Sequence, residues 1–101
     1  MKLPEREGMA EGRTQRITAT DIRGGRIRVP HDSKGMFPDA RVYVRVSLRG
    51  RDLDARWDPR FGPDRERSGV LGIGRRILRD LIQTNEMLTI ARDADGPLKL
   101  Y

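Results

Sequence analysis

A stretch of strict alternation at residues 41–57 constrains the fold more than any other part of the chain. In Arg41-Val42-Tyr43-Val44-Arg45-Val46-Ser47-Leu48, the four residues Val42, Val44, Val46 and Leu48 fall on one side of an extended backbone, and Arg41, Tyr43, Arg45 and Ser47 on the other. A two-residue period of this kind belongs to a β-strand with one buried and one wetted face. Arg49-Gly50, with or without Arg51, is a tight reversing turn, and Asp52-Leu53-Asp54-Ala55-Arg56-Trp57 returns with Leu53, Ala55 and Trp57 on one face. A lone hairpin is marginal in water, so the remaining chain has to supply more strands to cover the apolar side.

Further strand signals follow on both sides. Residues 15–22 alternate and are rich in β-branched side chains; Arg23-Gly24-Gly25-Arg26 reads as a turn; Ile27-Arg28-Val29 resumes the strand and Pro30 stops it. Residues 31–38 have room for one short helical turn with Asp32 or Ser33 as its cap, and Met36 and Phe37 would plug one end of a core. Residues 68–73 form another strand, and Gly74 opens a helix over 75–83, where Ile77, Leu78, Leu81 and Ile82 make an apolar stripe and Asn85 suits the C-terminal cap. Residues 86–92 and 97–101 are two closing strands around an Asp-Ala-Asp-Gly turn. Residues 1–13 have no period, carry balanced charge and read as a flexible tail, which leaves one domain over 14–101. The expected fold is mainly β: a seven-stranded open pseudobarrel with two short helices, in the order β-β-α-β-β-β-α-β-β.

Between the strands lies a long loop within residues 56–69. It contains two prolines, the only tryptophan, and Arg56, Arg60, Arg65 and Arg67. Loops of this length in a small domain are functional or disordered. The chain carries a net charge of +6, and 18 of its 21 basic residues are arginine. A GC-rich codon bias accounts for the Arg:Lys ratio but not for the positive excess, which points to a polyanionic partner. There is no cysteine and no apolar run of membrane-spanning length, and residues 1–8 lack the apolar region of a signal peptide, so the expected location is cytoplasmic.

Catalytic and cofactor patterns are missing. The single histidine, His31, reads as a surface or cap residue, and no Cys/His set exists for zinc. Gly72-x-Gly74 before the helix lacks the rest of a dinucleotide fingerprint, and the acids around Asp64 and Glu66 lack the spacing and lysine of a metal nuclease. We therefore expect no enzyme activity, no cofactor and no metal. Trp57 continues the inward face of its strand and reads as a core or hinge residue. The arginines do form a pattern: Arg23, Arg26 and Arg28 cluster around Gly24-Gly25, and Arg60, Arg65 and Arg67 share the long loop with Ser68. Two such prongs on one side of a barrel would enter a major groove, where arginine takes guanine edges or phosphates.

The run Ile17-Thr18-Ala19-Thr20-Asp21, then Gly25-Arg26-Ile27-Arg28-Val29-Pro30, then Lys34, then Phe37-Pro38, resembles the opening of the B3 DNA-binding domain. That pseudobarrel occurs in plant transcription factors and in the DNA-recognition domains of restriction enzymes of the EcoRII type, and this chain looks more like the bacterial branch. The resemblance covers about residues 15–101. Thr20 replaces the usual serine, and His31 stands where the family has a lysine after proline. The Gly-Arg-Ile-x-Val-Pro piece is also similar to AbrB-type swapped-hairpin factors, but the long loop and the helix fit the B3 plan better. The resemblance implies two arms that touch double-stranded DNA. Thr20, Arg23, Arg26 and Arg28 would lie in an N-arm over 20–28, and Arg60, Arg65, Arg67 and Ser68 in a C-arm over 58–68. It also implies a separate nuclease or regulatory chain as a further partner. Alternatives from other classes are an assembly module that binds an acidic protein and an RNA-binding small barrel.

Overall fold

A computed structural model describes residues 9–61, 67–93 and 96–101. Among these residues seven strands form a single sheet: β1 (Met9–Arg13), β2 (Arg26–Val29), β3 (Val42–Leu48), β4 (Arg51–Asp58), β5 (Gly69–Gly72), β6 (Thr89–Asp93) and β7 (Leu98–Leu100). Two α-helices, α1 (Ala19–Gly24) and α2 (Arg75–Leu81), and a 3-10 helix at His31–Met36 join them. The order across the sheet is β1-β6-β7-β3-β4-β5-β2. Neighbours are antiparallel except β3 and β7, which run parallel. The amide of Gln15 donates to the Arg28 carbonyl at 2.9 Å, so the chain leaving β1 comes back beside β2 and the sheet nearly closes into a barrel.

The hairpin forms as its alternation requires. β3 and β4 pair from Val42↔Trp57 to Leu48↔Arg51. The turn residues Arg49 and Gly50 have φ of 50° and 89°, the left-handed pair that matches the strand twist. Val46, Leu48, Ala55 and Trp57 are fully buried. The apolar face does not stay covered along its whole length, because Val42 is 38% exposed where β3 begins. Trp57 stacks on Phe37 with ring centroids 4.2 Å apart, and its indole N–H donates to the Pro38 carbonyl at 2.8 Å. Its burial thus leaves no polar atom unpartnered. Met36 and Phe37 close this end of the core as expected.

The N-terminal quarter departs from the sequence expectation in three ways. Residues 15–22 are not a strand. Thr18 caps α1 instead: its hydroxyl accepts from the Asp21 amide at 3.1 Å, and Asp21 accepts from the Thr18 amide at 3.0 Å. This reciprocal capping box satisfies two end amides at once, and it overrides the β-branched alternation. The Gly24-Gly25 pair consequently ends a helix rather than turning a hairpin, with Gly25 at φ 70° as the left-handed cap. The first strand lies earlier, at Met9–Arg13, in what reads as tail, and it pairs with β6 from Met9↔Asp93 to Arg13↔Thr89. Residues 9–13 of the expected tail are therefore a strand, and residues 1–8 lie outside the described residues.

Two smaller differences concern caps. The 3-10 helix starts from Pro30 with no side-chain cap, and Ser33 accepts from the Arg13 amide at 3.2 Å instead. Helix α2 ends at Leu81, and Asn85 forms a later turn at φ 80°, where its amide donates to the Ile17 carbonyl at 2.6 Å. The two helices meet through Gly25, whose carbonyl accepts from the amides of Ile73 and Gly74 at 2.8 and 2.9 Å. A Cβ at Gly25 would lie 2.7 Å from the Arg75 amide nitrogen, so both the backbone angle and the close approach demand glycine there.

Candidate nucleic-acid interface

The candidate residues sit where β2, β5 and the end of β4 run side by side. Arg26↔Gly72 and Arg28↔Val70 pair across β2 and β5, and Arg56↔Gly72 and Asp58↔Val70 pair across β4 and β5. Alternation then puts Arg26, Arg28, Gly72, Val70, Arg56 and Asp58 on one outer face. Beyond β4, Tyr43 stands opposite Arg56. Arg41 continues this face past the start of β3, and its guanidinium lies 3.9 Å from Asp58.

The arginines divide by what they already hold. Arg28 is committed to the fold. Its guanidinium grips the Asp21 carboxylate at 2.9–3.2 Å and also donates to the Arg16 carbonyl at 3.1 Å. Asp21 itself is buried; that burial opposes its ionisation, but the hydrogen bonds from Arg28 and Thr18 outweigh it and hold the carboxyl below the usual aspartate range. Arg60 is committed as well. Its Nε donates to the Ser68 carbonyl at 2.8 Å, its amide donates to Asp58 at 2.9 Å, and its φ of 55° marks a tight bend. These bonds tie the two ends of the long loop together. Ser68 faces inward to the frame, where its hydroxyl accepts from the Gln15 side chain at 2.9 Å.

Arg23, Arg26 and Arg67 reach solvent. Arg23 makes one long hydrogen bond, 3.3 Å to the Thr20 hydroxyl on the same helix, and Arg26 stands 3.8 Å from Asp21 with 45% of its side chain exposed. Arg65 lies outside the described residues. The expected N-arm is corrected in kind: Thr20 and Arg23 ride on α1, and Arg26 and Arg28 are strand residues of β2, so residues 20–28 form a helix and a strand rather than a hairpin tip.

The two halves nonetheless come together electrically. Burial lowers the Arg60 pKa first, and the charges of Arg67, Arg26 and Arg28 lower it further, against the opposing pull of Asp58. The pairing of β2 with β5 agrees with this, since Arg28 stands opposite Val70, two residues past the Ser68 whose carbonyl Arg60 holds. Such a cluster draws in an anion.

A residue outside the sequence-predicted set organises the loop. Lys34 is 5% exposed. Its ammonium donates to the Arg67 carbonyl at 2.8 Å and lies 4.8 Å above the centre of the Phe61 ring. One side chain on the 3-10 helix thus holds the loop on both sides of 62–66. Arg41, Tyr43 and Arg56 share this outer face without belonging to the expected site, and the outward half of the alternation at 41–57 already places them on a wetted face. His31 is exposed at the start of the 3-10 helix. Among the described residues no group of three or more His, Asp or Glu side chains stands close enough to hold a metal ion, and no helix is long and apolar enough to cross a membrane. No protein-family model and no curated protein matches the chain.

Proposed function

We propose that the chain is a non-catalytic module that binds double-stranded DNA. The carrying observation is that the β2–β5 ladder sets Arg26 and Arg28 beside the loop end that Arg60 clasps at Ser68 and from which Arg67 reaches solvent, two segments far apart in sequence. Arg28 and Arg60 shape the surface by holding Asp21 and Ser68. Arg23, Arg26 and Arg67 contact phosphates or base edges, with Arg65 of the loop as a further contact and Thr20 beside Arg23 on α1. Arginine forks on a strand and on a loop tied down at both ends suit a backbone that presents oxygen pairs at fixed spacing. The resemblance to the B3 domain points the same way and would place the loop in the major groove. A regulatory or nuclease activity would belong to a separate chain, and a cytoplasmic location fits this reading.

Fluorescence anisotropy with mixed-sequence duplexes tests the proposal. Affinity should fall with salt, log K dropping by about 0.9 per phosphate neutralised for each tenfold rise in salt. Arg26→Glu with Arg67→Glu should weaken binding at least about tenfold, a change of about 1.4 kcal/mol, without lowering the melting temperature. Salt-insensitive binding, or none, overturns the reading. Tighter binding to an RNA duplex would move the module to RNA, and binding only to an acidic protein would make it an assembly module.

A further inference from the structure

A groove of about 440 Å³ runs across the outer face of β3, β4 and β5. That volume lies within the range of small-ligand sites, about 300–1,000 Å³. Its floor is Gly72 and Val70, the only two outward positions of β5. Its far wall carries Tyr43, 67% exposed, and two guanidiniums flank it, Arg56 beside Tyr43 and Arg41 at the strand end. Asp58 lies at the rim, 38% exposed; one carboxylate oxygen accepts from the Arg60 amide and the other is 3.9 Å from Arg41.

Each part matches one part of a single ligand class. An exposed phenol ring on one wall and a floor of only a glycine and a valine suit a flat aromatic heterocycle. Two arginine forks at its edge suit a phosphate, and a partly used carboxylate suits a heterocycle N–H. We infer that this groove holds one nucleotide unit, its base against Tyr43 and over Gly72 and its phosphate between Arg41 and Arg56. The nucleotide can be free or an unpaired residue of a DNA strand. Occupation by a strand residue rests on the DNA-binding proposal; occupation by a free nucleotide does not.

Gly72 makes the idea testable without damaging the fold. A Cβ there meets Arg56 atoms at 3.6 Å, an ordinary contact, and no positive φ requires glycine. Gly72→Val therefore fills the floor, and valine suits a strand. The experiment titrates dAMP into isotope-labelled protein and follows the amide resonances. A parallel series uses a duplex with a bulged 2-aminopurine and follows its fluorescence. The expected result is shifts centred on Tyr43, Arg56 and Gly72, or a change in 2-aminopurine emission on binding. Gly72→Val and Tyr43→Ala should each weaken that response about 5- to 150-fold, the range of a lost base stack. Arg56→Lys, which keeps the charge but not the fork, should weaken it less than Arg56→Ala. The inference is overturned if neither probe responds. It is also overturned if dAMP shifts only residues around Arg26 and Arg67, or if Gly72→Val leaves both responses unchanged. Duplex binding by the arginine cluster is measured separately with a fully paired duplex, so the two readings fail independently.

Discussion

At the scale of single residues, Asp21 does more for the site than any arginine that reaches solvent. Its carboxylate closes the α1 capping box and fixes the Arg28 fork, and Arg26 stands nearby at 3.8 Å. Asp21→Ala should cost about 1–3 kcal/mol in urea unfolding, since Arg28 keeps a third of its side chain in water and is partly resolvated. Because the Asp21 pKa is lowered by folding, its contribution is present at neutral pH and is lost as the pH falls below 3.8, its ordinary value. Wild-type stability should therefore drop over that acid range, and the Asp21→Ala variant should show a smaller drop. Gly69 bears on the core in the same way. A Cβ at Gly69 would lie 2.2 Å from the Trp57 ring, itself fully buried, so Gly69→Ala should cost about 1–3 kcal/mol by overpacking. An unchanged urea midpoint would show that Trp57 can shift. The dual loyalties of these arginines could not be read from the sequence. Arg23, Arg26 and Arg28 look alike in a string of letters, and only folding gives Arg28 a buried carboxylate and leaves Arg23 in solvent.

Elements show why one part of the chain was legible and another was not. β3 and β4 follow from alternation because one of their faces is buried over most of its length. β1 has no such signature: within Met9-Ala10-Glu11-Gly12-Arg13, Gly12 has no side chain to pack, and a Cβ there would lie 2.4 Å from the Ser33 hydroxyl oxygen. Its strand state comes from the ladder with β6, a partner at the other end of the chain, which no local pattern reveals. Deleting residues 1–13 should therefore lower the melting temperature measurably, whereas removal of a true tail would be silent. The helix α1 had a readable signal that the alternation masked: Thr18-Ala19-Thr20-Asp21 is a capping-box pattern. The long loop was legible as an element, but its tether was not, since Lys34 lies on a different segment. Lys34→Met keeps the length and apolar stem and removes the donor. It should speed tryptic cleavage after Arg60, Arg65 or Arg67 while circular dichroism stays unchanged, and Lys34→Arg should restore most of the protection. Equal cleavage rates in all three proteins would mean the loop is held by other contacts.

For the molecule as a whole, the sheet order separates neighbours in space from neighbours in sequence. The long-range ladders β1–β6 and β3–β7 join regions that the hairpins alone cannot bring together. Refolding after dilution from urea should accordingly be slow for a chain of this size, in milliseconds to seconds rather than microseconds, and stopped-flow fluorescence of Trp57 would report it. The partner of the first strand also bears on synthesis. A ribosome releases the chain from its beginning, so residues 9–13 emerge long before residues 89–93 exist to receive them. Until β6 emerges, β1 lacks its ladder partner, and the basic face is assembled beside a barrel that is still open. Only when β6 and β7 leave the exit tunnel can the sheet come together, so nascent chains truncated before residue 89 should need chaperone protection that the finished domain does not.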